Sequence, residues 1–444
     1  TNKHVDHLSI IAKTLFKSNA LFVGPSHEWK FENNSYTFEF DSMPKINFTS
    51  GNLVCASRLN DIKIEDTKGY YSIQDKLFFG QGGRVPWNIS GYDPKKTYAT
   101  LNTYEIALPD QSYSAENVYF HSEYSNTPLK GTLEDKLVQT SEGNKRNYPV
   151  FQSTEGRIQI KNIIPNVDYE GGFILAGESF KGTGPQNNPA QLIINKDGKK
   201  FLESKSQLFN IRPQIIESLS AQIKFAVDSD SIFHPSLYLA LNRKTRELTL
   251  SRTEDGVSPS PFINTYHNME MYFESIQWNI DAPLMNFGAY GPTAQKFADF
   301  ESVEYFDKER YRTIQGISTI HPCTILSETY NRLGQTTFTI VDFATTARTG
   351  IEQWIPLLFD LNVKGYIIFE PETRMITIKP KLLNHIETNR LLKDYDILQF
   401  SSSVNQGSNA QLSLLSQELK IEGVNNIVVS DSQLVRIYPK NGTV

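Results

Sequence analysis

Along residues 410–444 the apolar positions come in pairs with one residue between them: Leu412 and Leu414, Leu419 and Ile421, Ile427 and Val429, Val435 and Ile437. A period of two turns alternate side chains to one face, so each pair reads as a short strand with one buried side. The pairs recur every seven or eight residues, separated by Ser, Gln, Asn, Asp and Gly. Those separators are corner residues rather than the Asn-Gly of a tight hairpin. The pattern predicts a β-solenoid, parallel β-helix-like, whose rungs stack around one interior. It follows that Leu419, Ile421, Ile427, Val429, Val435 and Ile437 should all point into that interior.

The same dyads occur earlier, at Ile46/Phe48, Leu53/Cys55, Ile62/Ile64, Leu77/Phe79, Ile158/Ile160 and Phe173/Leu175. Three stretches depart from them. Residues 4–18 carry Leu8, Ile11 and Leu15 at helical spacing and predict one amphipathic helix. Around residues 237–250, Leu237/Leu239/Leu241 and Leu248/Leu250 flank the polar turn 242–246, which predicts a hairpin. Across 322–381 the period lengthens to that of a helix. The expected fold is therefore mainly β, a solenoid with hairpin excursions and a small α+β insert. Its divisions are a helical lead-in at 1–25, a β-rich region at 26–320, the insert at 321–382 and further solenoid at 383–444.

Composition sharpens this picture only in places. The 27 Phe and 21 Tyr suit cross-strand ring packing. A formal charge of −5 offers no basic footprint for nucleic acid or anionic lipid. Two cysteines, Cys55 and Cys323, make no disulfide framework. No apolar run reaches the ~18 residues of a membrane span, and no signal peptide is visible. The first residue is Thr1 rather than Met, so the chain is expected to be a piece of something longer.

Four stretches invite chemistry. His4, Asp6 and His7 lack a third metal ligand at suitable spacing and read as a solvated helix turn. The run Gly80-Gln-Gly82-Gly83-Arg84-Val85-Pro86-Trp87 resembles a phosphate loop but lacks the Lys-Ser/Thr, and Pro86 interrupts the helix start, so it reads as a glycine-rich corner. The polar tract 131–147 mixes both signs of charge and reads as a solvated excursion. Asp228, Asp230 and His234 are the candidate binding residues, because close carboxylates and a histidine suit a divalent cation or acid–base work. The calcium-loop Gly and distal Glu are absent, and no catalytic residue, metal ligand or cofactor is assigned.

Within the insert, 324–333 reads as a helix stopped by Gly334, 337–340 as a strand and 342–348 as a second helix. Thr349-Gly-Ile-Glu352 reads as a capping box that opens a third helix ending at Gly365, and strands at 366–370 and 375–380 follow. This order resembles a winged-helix module. The resemblance implies DNA contact through the third helix, yet that helix bears Glu352 and Asp360 against Lys364, carries no Arg, and contains Pro356. A protein-contact or structural insert is the expected use.

The phrases YEGGFILAGESFKG, DSIFHPSLYLAL, RELTLSR, YHNMEMYFESIQWN and ELKIEGVNNIVVSDSQLVRIYPKNG, spread over 170–442, resemble segments of very large uncharacterised Bacteroidota envelope proteins. That likeness implies an exported, periplasmic or surface location, with other envelope proteins or glycans as partners. The expected function is a non-enzymatic structural or interaction scaffold. The alternative is a carbohydrate-active enzyme on a β-solenoid, with Arg243 joining Asp228, Asp230 and His234. The third choice is a DNA-binding regulator.

Overall fold

The computed structural model describes residues 19–32, 35–39, 43–57, 61–88, 92–137, 147–252, 260–288, 296–315, 320–371, 373–430 and 434–444. The expected helix at 4–18, with His4, Asp6 and His7, lies outside the described residues, as does most of the tract 131–147 beyond Leu137. Two compact units divide the chain: Thr1–Gly156 with Phe173–Phe180, and Arg157–Gly172 with Lys181–Val444.

Mainly β structure is present, but it is not a solenoid. Among the described residues the strand ladders are antiparallel, and the dyads of the last stretch pair as hairpins: Ala410–Ser413 with Leu419–Ile421, and Ile427–Val428 with Arg436–Ile437. Ile421 and Ile427 are buried, whereas Val429, Val435 and Ile437 are exposed, so the six dyad residues share no interior. Alternation of side chains is the same in parallel and antiparallel strands, so the period that suggested rungs is equally that of a meander.

In the first unit a long hairpin, Lys45–Ala56 with Asp61–Ser72, is the frame. Its register shifts around Gly51, and the two halves of Lys45–Ala56 take different partners, Tyr36–Glu39 on one side of the shift and Glu28–Glu32 on the other. Such a bulge bends a strand and lets it serve two ladders. Trp29, Phe31, Phe48 and Phe78 fill the bend, with Phe31 and Phe48 stacked at 4.1 Å. The glycine-rich run is a corner: Gly83 sits at φ +131°, and a Cβ there would lie 2.7 Å from Ile64. Buried Trp87 closes it by donating its indole N–H to the Gly177 carbonyl at 2.7 Å.

The second unit repeats the device at larger scale. Ile215–Val227 and Asp230–Asn242 form a hairpin of two thirteen-residue strands with register shifts near Ala221. From Asp230–Asn242 the ladder forks. Its later half pairs with Glu247–Ser251, and that branch continues through Ser275–Asn279, Leu284–Gly288 and Ala410–Ser413. Its earlier half pairs with Phe262–Asn264, continuing through Met269–Tyr272, Lys296–Ser302 and Gln399–Val404. Phe262, Phe273 and Phe287 meet between the branches, with ring centroids 4.3 and 5.1 Å apart. The turn 242–246 is a hairpin as its polar residues suggest: the Asn242 side chain accepts from the Lys244 and Thr245 amides, and Arg246 takes a positive φ.

Between Lys296–Ser302 and Gln399–Val404 the chain leaves the sheet, and its described residues form five α-helices: α1 (Lys308–Gln315), α2 (Pro322–Leu333), α3 (Ile340–Ala347), α4 (Ile355–Val363) and α5 (Pro380–Asn389). Thr337–Thr339, Met375–Ile378 and Ile367–Glu370 form a separate three-stranded sheet against them. Gly334, at φ 64°, caps α2. The expected capping box at Thr349 is absent; the box forms instead at Thr339 and Asp342, where α3 begins. Pro356 is tolerated because α4 starts at Ile355, which leaves the missing N–H in the first turn. Leu326, Phe343, Leu358, Leu361, Ile376 and Leu382 make the insert's own core.

Candidate functional site

Asp228 stands exposed at the hairpin tip with φ 51°, and Asp230 begins the returning strand. His234 is wholly buried and both ring nitrogens are engaged. Nε2 lies 2.9 Å from the Ser260 carbonyl, and Nδ1 accepts from the Ser236 amide at 3.2 Å. Phe262 packs on its ring at 4.6 Å. Burial, reinforced by the Arg252 cation, pushes His234 down to about 3, so it stays neutral and serves as a polar core residue. Arg243 donates to the carbonyls of Arg212 at 2.9 Å and Ile163 at 3.2 Å. Among the described residues no group of three or more His, Cys, Asp or Glu side chains could hold a metal ion.

The densest chemistry lies elsewhere, where the insert covers the sheet. Strands Met269–Tyr272 and Lys296–Ser302 are neighbours in register, with Met271 opposite Phe300 and Glu270 opposite Glu301. Strand alternation sends Met271 and Phe300 to one face of the sheet and both glutamates to the other. Two like charges directly opposed across a ladder repel, and both are almost fully buried. The insert supplies the opposing charge. Lys381, 1% exposed in its side chain, places Nζ 2.5 Å from Glu270 Oε2 and from Glu301 Oε1. Lys379 Nζ is 3.4 Å from Glu270 Oε1, and Arg310 of α1 donates to Glu301 Oε2 at 2.9 Å. The Tyr272 hydroxyl lies 3.1 Å from Glu270 and 3.2 Å from Glu301.

Electrostatics within the cluster follow from these contacts. Burial alone would raise the Glu301 carboxyl, but Lys381 and Arg310 outweigh it and hold the group below its ordinary value. Burial holds the Lys379 ammonium down against the pull of Glu270. His385 of α5, buried beside Lys381, is pushed down to about 3. Gly365 approaches from the end of α4 at φ +77°, and a Cβ there would lie 2.9 Å from Glu270 Oε2. Asn362, also on α4, accepts from the Ser260 hydroxyl at 2.6 Å.

This arrangement fastens the insert to the sheet. It was not legible beforehand: Glu270 is one charge in the run MEMYF, and its lysine partners lie more than a hundred residues further on. The one available signal is a lone acid in an otherwise apolar strand, which asks for a buried counter-charge. Cys55 and Cys323 are free and buried, each thiol pushed up to about 12 chiefly by burial, so neither is poised as a nucleophile. No helix among the described residues is long and apolar enough to cross a membrane. No family model, curated protein or solved structure matches the chain.

Proposed function

We propose that this chain is a non-enzymatic structural or interaction scaffold of a bacterial cell envelope, binding protein or glycan through its extended β-surfaces. The observation that supports the reading is the use made of Glu270, Glu301, Lys379, Lys381 and Arg310. Acids and bases that would equip a catalytic cleft are closed inside the molecule, as ion pairs between insert and sheet. A depression of about 580 Å³ beside the insert is lined by Gln186, Asn187, Thr373 and Met375, groups suited to hydrogen bonding and apolar contact rather than proton transfer.

The insert, in its winged-helix-like order, is read as a structural and protein-contact module. Leu358, Leu361 and Asn362 of α4 are buried, Lys364 is paired with Asp360, and Lys379 is sealed in the cluster. A helix that reads DNA needs an open, cationic face. Mobility-shift titration at low salt is expected to show no binding to duplex DNA beyond that of an acidic control.

The scaffold reading is tested by incubating the full chain with uronic-acid-containing and neutral polysaccharides while screening the same material on a glycan array. Saturable binding with no chain shortening is the expected result. Turnover of any polysaccharide would overturn it in favour of the carbohydrate-active alternative.

A further inference from the structure

Glu270 is held in a reactive setting. Its carboxylate lies between two lysines, with Lys381 Nζ 2.5 Å from Oε2 and Lys379 Nζ 3.4 Å from Oε1. The Tyr272 hydroxyl touches Oε2, and Gly365 packs on the same group. Side-chain exposure is 7% for Lys379 and 2% for Glu270, so the pair is closed off from solvent. We propose that Lys379 and Glu270 condense to an intramolecular amide, a covalent modification that staples the start of α5 to the strand Met269–Tyr272.

The roles follow from position. Lys379 is the nucleophile: it makes one carboxylate contact, at 3.4 Å, whereas Lys381 is held at 2.5 Å by both Glu270 and Glu301. Burial beside a second cation, Lys381, makes its ammonium easier to deprotonate than an ordinary lysine. Lys381 is the acid, because it donates to Glu270 Oε2 and is held there by Glu301. The Lys379 amine attacks Cδ of Glu270 as Lys381 gives a proton to Oε2, which departs as water with a second proton from the attacking amine, steadied by the Tyr272 hydroxyl on that same oxygen. The C–N bond forms, a C–O bond breaks and water leaves. One amine, one carboxylate and one ammonium become one amide, one water and the neutral amine of Lys381, so atoms and charge balance without any oxidant or co-reactant. The product removes the Lys381–Glu270 charge pair from the interior, where its desolvation is costly, and leaves Glu301 with Arg310.

Intact mass spectrometry of the full chain, purified folded and measured under denaturing conditions, tests this directly. The mass is expected to fall one water short of the sequence, with a branched tryptic peptide joining the segment of Glu270 to that of Lys379. A folded chain at full sequence mass overturns the proposal. Chain kept in denaturant from the outset should carry the full mass and lose the water on refolding; refolding without that loss counts equally against it. Lys379→Arg keeps the charge and should retain the full mass. Water loss that persists in this variant overturns the assignment to Lys379.

Discussion

Gly365 carries two constraints at once. Its φ of +77° lies in the left-handed region that side chains resist, and the space a Cβ would need is held by Glu270 and Pro261. Gly365→Ala should therefore cost about 1–3 kcal/mol, read as a lowered urea midpoint; an unchanged midpoint would mean that the end of α4 can move away from the sheet. Arg310 poses a different question, because removing it leaves two buried acids, Glu270 and Glu301, to share Lys381. Arg310→Met is expected to destabilise by about 3 kcal/mol, and adding Glu301→Gln should recover much of that loss. If the two changes simply add, the ion pair at 2.9 Å is not what holds α1 down.

Single elements show how such residues are used. The insert has its own core, yet α4 and α5 are also tied to the sheet through Asn362–Ser260 and Lys381–Glu270–Glu301. Elements that share buried ion pairs open together. Backbone amides of α5 should accordingly exchange hydrogen at the rate of those in Met269–Tyr272; much faster exchange in α5 would show the insert opening alone. The other informative element is the short strand Arg436–Ile437, where Leu434, Val435, Ile437 and Tyr438 are all exposed. Leu434→Lys with Ile437→Lys should raise solubility and leave the melting temperature unchanged, because apolar edges promote association and these side chains bury little. A clear drop in melting temperature would place them in a core.

For the molecule as a whole, acid is the revealing stress. His234 and His385 are each held down to about 3 by burial, against an ordinary value of 6.5. Below 6.5 the unfolded chain binds protons that the folded chain refuses. The stability involved is complete above that value and is lost as pH falls toward 3. Between about pH 7 and 5 each histidine should withdraw on the order of 2 kcal/mol. At lower pH the depressed carboxyl of Glu301 adds to the loss, because it must be protonated while paired. Urea midpoints that stay level from pH 7 to 5 would show that the histidines gain water or a counter-charge.

What could be read from the chain was local. The period of two marked the strands, the polar run 242–246 marked a hairpin, and Gly334 and Gly365 marked the ends of helices in the insert, because side-chain alternation and positive φ act within a few residues. Strand direction was not readable: Ile427 and Val429 alternate identically in a rung and in a meander, and the choice fell to pairing between strands brought together in space. The ion cluster was hidden for the same reason. That Glu270 faces opposite to Met271 follows from its place in the strand, but its burial depends on an insert that returns more than a hundred residues later to lay Lys379 and Lys381 over it.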